Sequence, residues 1–139
     1  MPLLLPSARD PNKMPQRILV VDDDPLYVEL VKDVLEMQHH RVVIAHNGAE
    51  ALSAIATEHC DVIVSDIEMP VMNGIMFHAK LLEDKNYNDV PFIFLTATED
   101  PVKIRYVREH PPAALLKKSD MIEALLATIS NLTAMKGSV

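Results

Sequence analysis

Three apolar runs, each closed by a polar residue, constrain the fold of this chain more than any other feature. They lie at 18–21, 62–64 and 92–95, and the residues that follow them include Asp22, Asp66 and Thr96. Unbroken apolar runs of this length are typical of strands buried on both faces of a parallel sheet. Because ligands of open parallel sheets bind at the carboxyl ends of the strands, we expect these polar side chains to gather at one rim.

Helical patterns alternate with strands along the rest of the chain. We predict strands over 17–22, 41–46, 61–66, 91–96 and 113–117, and helices over 25–38, 48–59, 74–84, 100–109 and 120–134. In the first helix, the stripe that we expect to be buried consists of Leu26, Leu30, Val31, Val34 and Leu35. Five strands alternating with five helices predict an α/β fold, with a doubly wound five-stranded parallel sheet.

The length of 139 residues indicates a single folded domain. We expect it to span 16–135, between a flexible, proline-rich tail over 1–15 and a short tail over 136–139. The formal net charge of −7 argues against a surface that binds nucleic acid or anionic membranes. No apolar stretch approaches the length of a membrane span, so we expect a cytoplasmic protein.

The aspartates at the predicted rim indicate a metal site. Asp22 and Asp23 follow the first strand, and Asp66 follows the third. Neighbouring carboxylates repel one another, and a hard divalent cation such as Mg²⁺ removes that repulsion while also binding phosphate oxygens. The triplet at 22–24 taken alone would indicate a solvated turn in which Asp24 caps the first helix. The matching positions of Asp66 and Thr96 favour the metal site.

A carboxylate at such a rim can also act as a nucleophile. Asp66 is the candidate, because a carboxylate can attack a phosphoryl group and hold it as an aspartyl phosphate. The hydroxyl of Thr96 and the backbone amide of Ala97 could bind phosphate oxygens. A cation is needed to balance the charge, and it is either Lys117 or Lys118, since alternating side chains bring one of them to the rim.

Several motifs taken together resemble the receiver domain of two-component response regulators. They are Val-Asp-Asp-Asp-Pro at 21–25, Asn-Gly-Ala-Glu-Ala-Leu at 47–52, Ser-Asp-Ile-Glu-Met-Pro-Val-Met-Asn-Gly at 65–74, Leu-Thr-Ala at 95–97 and a lysine after the fifth strand. The resemblance covers residues 16–135. It implies a flavodoxin-like sheet with strand order 2-1-3-4-5.

The resemblance also implies a role for each residue at the rim. Asp66 would be the phosphoacceptor, Thr96 the switch hydroxyl, and the amide of Ala97 a phosphate contact. The spacing between threonine and lysine in the family selects Lys118 over Lys117 as the cation. The implied Mg²⁺ ligands are Asp66, Asp23, Asp22 through a water molecule, and the backbone carbonyl of Glu68.

The function implied by the resemblance is signal transduction rather than enzymatic turnover. A sensor histidine kinase or phosphotransfer protein would phosphorylate Asp66, and the domain would have at most weak autophosphatase activity. An output protein would bind the face formed by the fourth helix, the fifth strand and the fifth helix, on a monomer or weak homodimer.

Three alternatives stay open at this point. The chain could be a scaffold that acts without phosphorylation, or a receiver cut from a hybrid kinase. It could also be a magnesium-dependent phosphatase, for which Glu68 stands two residues after the nucleophile, although a cap segment is missing.

The sequence departs from the family pattern on the side that would relay the signal. Ser119 replaces the proline that usually follows the lysine, and Pro111 and Pro112 replace the usual Gly-Ala before the fifth strand. Leu115 occupies the switch position, where the family usually carries an aromatic residue. We therefore expect intact phosphorylation chemistry and an altered relay from it.

Overall fold

A computed structural model describes residues 15–112, 114–120 and 122–137, with side chains described as far as residue 133. The predicted amino-terminal tail lies outside the described residues except for Pro15, and so do the last two residues of the chain. The strands are β1 (Arg17–Val21), β2 (Arg41–Ala45), β3 (Val62–Ser65), β4 (Phe92–Thr96) and β5 (Ala114–Lys117). The helices are α1 (Pro25–Met37), α2 (Gly48–Thr57), α3 (Gly74–Leu82), α4 (Pro101–Glu109) and α5 (Ile122–Gly137).

The five strands form one parallel sheet in the order β2-β1-β3-β4-β5. From β1 the chain first adds β2 on one side of the sheet and then β3, β4 and β5 on the other side. The carboxyl ends of β1 and β3 therefore border the crevice at which such sheets bind ligands. The predicted α/β fold, the number of elements and the strand order are confirmed. None of the helices in the described part of the chain is long and apolar enough to cross a membrane.

Side-chain caps fix the starts of the helices that border the rim. The Asp24 carboxylate accepts hydrogen bonds from the amides of Leu26 (3.0 Å) and Tyr27 (3.3 Å), as the capping interpretation of Asp24 predicts. Pro25 occupies the first turn of α1, where a missing amide proton costs nothing. Asn47 caps α2 through the amide of Glu50 at 2.9 Å, also as predicted.

The core lies on both faces of the sheet, because successive strand side chains point to opposite sides. Leu19 and Val21 of β1 pack on one side with α2, α3 and α4, whereas Ile18 and Val20 pack on the other side with α1 and α5. The strands β1, β3 and β4 are buried on both faces, which explains their unbroken apolar runs.

The predicted buried stripe of α1 is wrong at two positions. Leu26 and Leu30 are 82% and 53% exposed, whereas Val28, Val31 and Leu35 form the buried face. Residues 28, 31 and 35 follow the helical period, and a residue two positions away lies about 200° around the helix. The two leucines therefore face solvent.

Candidate functional site

The aspartates after β1 and β3 are fixed by backbone hydrogen bonds that extend the sheet beyond its strands. The amide of Asp22 donates to the carbonyl of Ala45 at 3.1 Å, and the amide of Asp66 donates to the carbonyl of Val21 at 2.9 Å. Both side chains are buried, with 3% and 6% of the residue exposed. The rim thus holds two carboxylates in fixed positions at neighbouring strand ends.

A third carboxylate completes an acidic cluster. One carboxylate oxygen from each of Asp22, Asp23 and Asp66 lies within 4.8 Å of the others, and Asp23 is exposed. Burial raises the pKa of the Asp22 carboxyl, although Lys118 and the amide of Asp24 oppose this by hydrogen bonding to it. A cluster of hard oxygen donors that is open to solvent on one side fits Mg²⁺, which keeps several of its water ligands when it binds proteins.

Lys118, rather than Lys117, reaches this cluster. Its Nζ lies 2.7 Å from Oδ2 of Asp22 and 2.9 Å from Oδ2 of Asp66, and its side chain is only 18% exposed. Lys117 is exposed. Burial by itself lowers the pKa of Lys118, but the hydrogen bonds to the two aspartates outweigh this effect and the pKa is raised. The ammonium group therefore stays charged and offsets the repulsion between the carboxylates.

The side chain of Lys118 also contacts an aromatic ring that the sequence had not singled out. Its Nζ lies 4.5 Å from the centre of the Tyr27 ring, which belongs to the first turn of α1. This distance is in the range of a cation–π interaction. The available signal was the position of Tyr27 three residues after the aspartate triplet, in the first turn of the helix that begins at Pro25.

The carboxylate of Asp66 is oriented by its own loop. Its Oδ1 accepts hydrogen bonds from the amides of Ile67 (2.6 Å) and Glu68 (3.4 Å), while Oδ2 receives Lys118. Gly74 lies close behind, and a Cβ added there would come within 2.0 Å of the Asp66 carbonyl oxygen. Only glycine fits this position, so the residue type at 74 is dictated by the backbone of the nucleophile candidate.

The loop from Asp66 to Gly74 has a strained backbone and an unexpected contact. Val71 has φ = 68°, a left-handed conformation that a β-branched residue rarely adopts. The Glu68 side chain, which the sequence had marked only for its backbone carbonyl, forms an ion pair with Lys103 of α4. Thus a loop next to Asp66 is tied to a helix on the outer layer.

Thr96 and Ala97 follow β4 at the same rim. Thr96 is buried, its Oγ1 accepts a hydrogen bond from the amide of Thr98 at 3.2 Å, and its carbonyl accepts one from the amide of Lys118 at 2.9 Å. Ala97 is exposed. A cavity of about 170 Å³ opens here, lined by Thr96, Ala97, Thr98, Glu99, Lys117 and Ser119. Leu115 lies on β5 with 38% of its surface exposed.

The response regulator receiver domain family matches residues 18–130 of this chain. The chain belongs to this family. Receiver domains are phosphoacceptors of two-component signal transduction and typically bind Mg²⁺ in an acidic pocket. The structure contains an acidic group of this kind, formed by Asp22, Asp23 and Asp66.

Individual relatives agree with the receiver domain assignment. The protein PilH of Pseudomonas aeruginosa is 30% identical over 118 residues, which are 85% of this chain and 98% of PilH. The chemotaxis response regulator CheY4 of Vibrio cholerae is 30% identical, with a TM-score of 0.76 over 85% of this chain and 98% of CheY4. A signal receiver domain of a Syntrophus aciditrophicus histidine kinase is 27% identical, with a TM-score of 0.81 over 86% of this chain and 90% of that domain.

Other relatives are much longer than this receiver domain. The match to the probable transcriptional regulator ycf29 of Pyropia yezoensis spans 42% of that protein, at 38% identity over 93 residues. The match to the sensor histidine kinase TmoS of Ectopseudomonas mendocina spans 14% of TmoS, at 30% identity over 141 residues. Receiver domains therefore occur both in proteins of this length and within larger ones.

Proposed function

We propose that this receiver domain accepts a phosphoryl group on Asp66 from a sensor histidine kinase or a phosphotransfer protein. The observation that carries the proposal is the arrangement around Asp66: a buried carboxylate at a strand end, 2.9 Å from a lysine ammonium and beside two further aspartates. Family membership supports the same role.

The reaction assigns a separate task to each side chain. An Asp66 carboxylate oxygen attacks the phosphorus of a phosphohistidine, a P–O bond forms, and the P–N bond breaks. The electron pair of the broken P–N bond remains on the imidazole nitrogen of the donor, which takes up a proton from solvent. Lys118 already contacts Asp66, so its charge is in place for an oxygen of the transferred group.

Thr96 and Ala97 would bind the remaining phosphoryl oxygens. The Thr96 hydroxyl accepts a hydrogen bond from Thr98, and this leaves its proton free to be donated. Mg²⁺ would be held by Asp22, Asp23, Asp66 and the backbone carbonyl of Glu68. When bound, it would neutralise charge on the phosphoryl oxygens. Water attack on the acyl phosphate would return the domain to its resting state, as a weak autophosphatase activity.

The output surface that we propose is the face formed by α4, β5 and α5. Val102 on α4 is 74% exposed and Leu115 on β5 is 38% exposed, so this face offers apolar contact area to a protein partner. Phosphorylation would change the populations of two existing arrangements of this face rather than create a new one. We propose that phosphorylation takes place in the cytoplasm and that the domain is a monomer or weak homodimer.

The test is phosphorylation by a small donor. The chain is incubated with Mg²⁺ and acetyl phosphate, and its intact mass is measured; we expect one added phosphoryl group. Asp66→Asn should abolish the addition, whereas Asp89→Asn, a matched change at an exposed loop residue, should not. Steady turnover of a generic phosphate ester, or an unmodified wild-type chain, would contradict the proposal.

A further inference from the structure

Lys118 is held at the site by three groups, of which only two are carboxylates. Its Nζ contacts Asp22 and Asp66 at 2.7 and 2.9 Å, and the Tyr27 ring covers a third side at 4.5 Å. The lysine side chain is 18% exposed, and the ring is one of the groups that surround it.

The two carboxylate contacts of Lys118 depend on what else the site binds, whereas the contact with the ring does not. Asp22 and Asp66 are also the groups expected to bind the metal and the phosphoryl group. A metal cation bound to these carboxylates weakens their attraction for the Lys118 ammonium. The Tyr27 ring has no such second task. A ring face attracts an ammonium through its quadrupole, whatever the charge on the carboxylates nearby.

Tyr27 is itself held firmly enough to restrain a neighbour. It lies in the first turn of α1, which the Asp24 carboxylate caps through the amides of Leu26 and Tyr27. Its ring packs against the core cluster between the sheet, α1 and α5. Lys118, by contrast, precedes the exposed Ser119 in the short connection from β5 to α5.

We propose that Tyr27 is a positioning residue for phosphoryl transfer, which keeps the Lys118 ammonium over the site through a cation–π interaction while the carboxylates change partners. The inference rests on the proposed function. It assigns to α1 a part in the chemistry through Lys118, in addition to its part in the core.

Two variants separate the ring from the packing. Tyr27→Phe keeps the aromatic face, whereas Tyr27→Leu keeps apolar volume against the core and removes the face. Thermal unfolding of both variants establishes that they are folded.

The first measurement needs neither metal nor phosphoryl donor. Protons above an aromatic ring are shifted upfield in NMR spectra, and the signals of the Lys118 ε-methylene can be assigned by comparison with Lys118→Met. We expect this upfield shift in the wild-type chain and in Tyr27→Phe, and its loss in Tyr27→Leu. Unchanged Lys118 shifts in Tyr27→Leu would overturn the contact and the proposal with it.

The second measurement is the rate of phosphorylation by acetyl phosphate at saturating Mg²⁺. We expect Tyr27→Phe to stay within about twofold of the wild-type rate and Tyr27→Leu to fall by about fivefold or more, as the loss of a partly buried cation–π contact implies. Equal rates in wild-type and Tyr27→Leu would overturn this inference alone. A wild-type chain that takes up no phosphoryl group would overturn the proposed function as well.

Discussion

Removing the charge of Lys118 should destabilise the metal-free domain, because two buried carboxylates would lose their cation. The substitution Lys118→Met keeps a long unbranched side chain and removes only the ammonium. At an effective dielectric constant of about 20, each of its contacts at 2.7 and 2.9 Å attracts by roughly 6 kcal/mol before desolvation is subtracted. Loss of one partner from a buried ion pair costs about 3–5 kcal/mol in practice.

We take the lower end of that range, because 18% of the lysine side chain remains exposed to water. The expected loss is about 3 kcal/mol in the free energy of unfolding, or a decrease of roughly 10 °C in Tm for a domain of this size. Chemical denaturation in EDTA at pH 7.5 measures it. The matched control is Lys117→Met, which removes the same charge from the exposed neighbour and should cost less than about 0.5 kcal/mol.

The same variant should respond more strongly to Mg²⁺ and to pH. With the ammonium gone, the uncompensated carboxylates should bind Mg²⁺ about tenfold more tightly, because the cation that repels the metal is lost. Burial raises the pKa of Asp22, and loss of the opposing hydrogen bond from Lys118 should let Asp22 bind a proton more readily in the folded state, so the stability deficit should be larger at pH 8 than at pH 5. If Lys118→Met unfolds at the same denaturant concentration as Lys117→Met in EDTA, the ion pairs contribute nothing and this reasoning is refuted.

Three further outcomes follow from the core and the loop. Gly74→Ala should lose about 3 kcal/mol or more of stability in denaturant titrations, since its Cβ would lie 2.0 Å from the Asp66 carbonyl oxygen; a wild-type midpoint would contradict this. Val71→Asn should gain about 1 kcal/mol by the same measurement, because asparagine tolerates the left-handed backbone at φ = 68°, and a loss would count against strain there. Burial lowers the pKa of His78, whose Nδ1 is buried and has no hydrogen-bond partner among the described residues. The unfolded chain therefore binds more protons than the folded one below the ordinary histidine pKa of 6.5. The free energy of unfolding should therefore fall as the pH drops below 6.5. His78→Phe should remove part of this fall when unfolding is compared at pH 5.5 and 7.5. An equal fall in both proteins would exclude His78 as the cause.

The strands and the acidic cluster could be predicted because their signals are local. The apolar runs before Asp22, Asp66 and Thr96 occupy strands buried on both faces, and parallel pairing then brings the strand ends together. The choice between Lys117 and Lys118 was different. The alternation of strand side chains allowed either lysine, and the spacing in the family selected Lys118. The short distances from Lys118 to Asp22 and Asp66 agree with that selection.

The features that escaped prediction depend on packing between distant segments. The buried face of α1 is set by Val28, Val31 and Leu35, and the leucine-rich pattern of the sequence also allowed Leu26 and Leu30 to be inside. The contact of Lys118 with Tyr27, and the ion pair of Glu68 with Lys103 across 35 positions, join elements that no short motif connects.

The ion pair between Glu68 and Lys103 bears on how far a change at Asp66 can spread. Glu68 stands two residues after Asp66, and Lys103 lies within α4. We expect a rearrangement of the loop around a modified Asp66 either to move α4 with it or to break this pair and leave the Lys103 ammonium exposed on α4. We therefore expect a route from Asp66 to α4 that does not pass through β5 and the leucine at position 115.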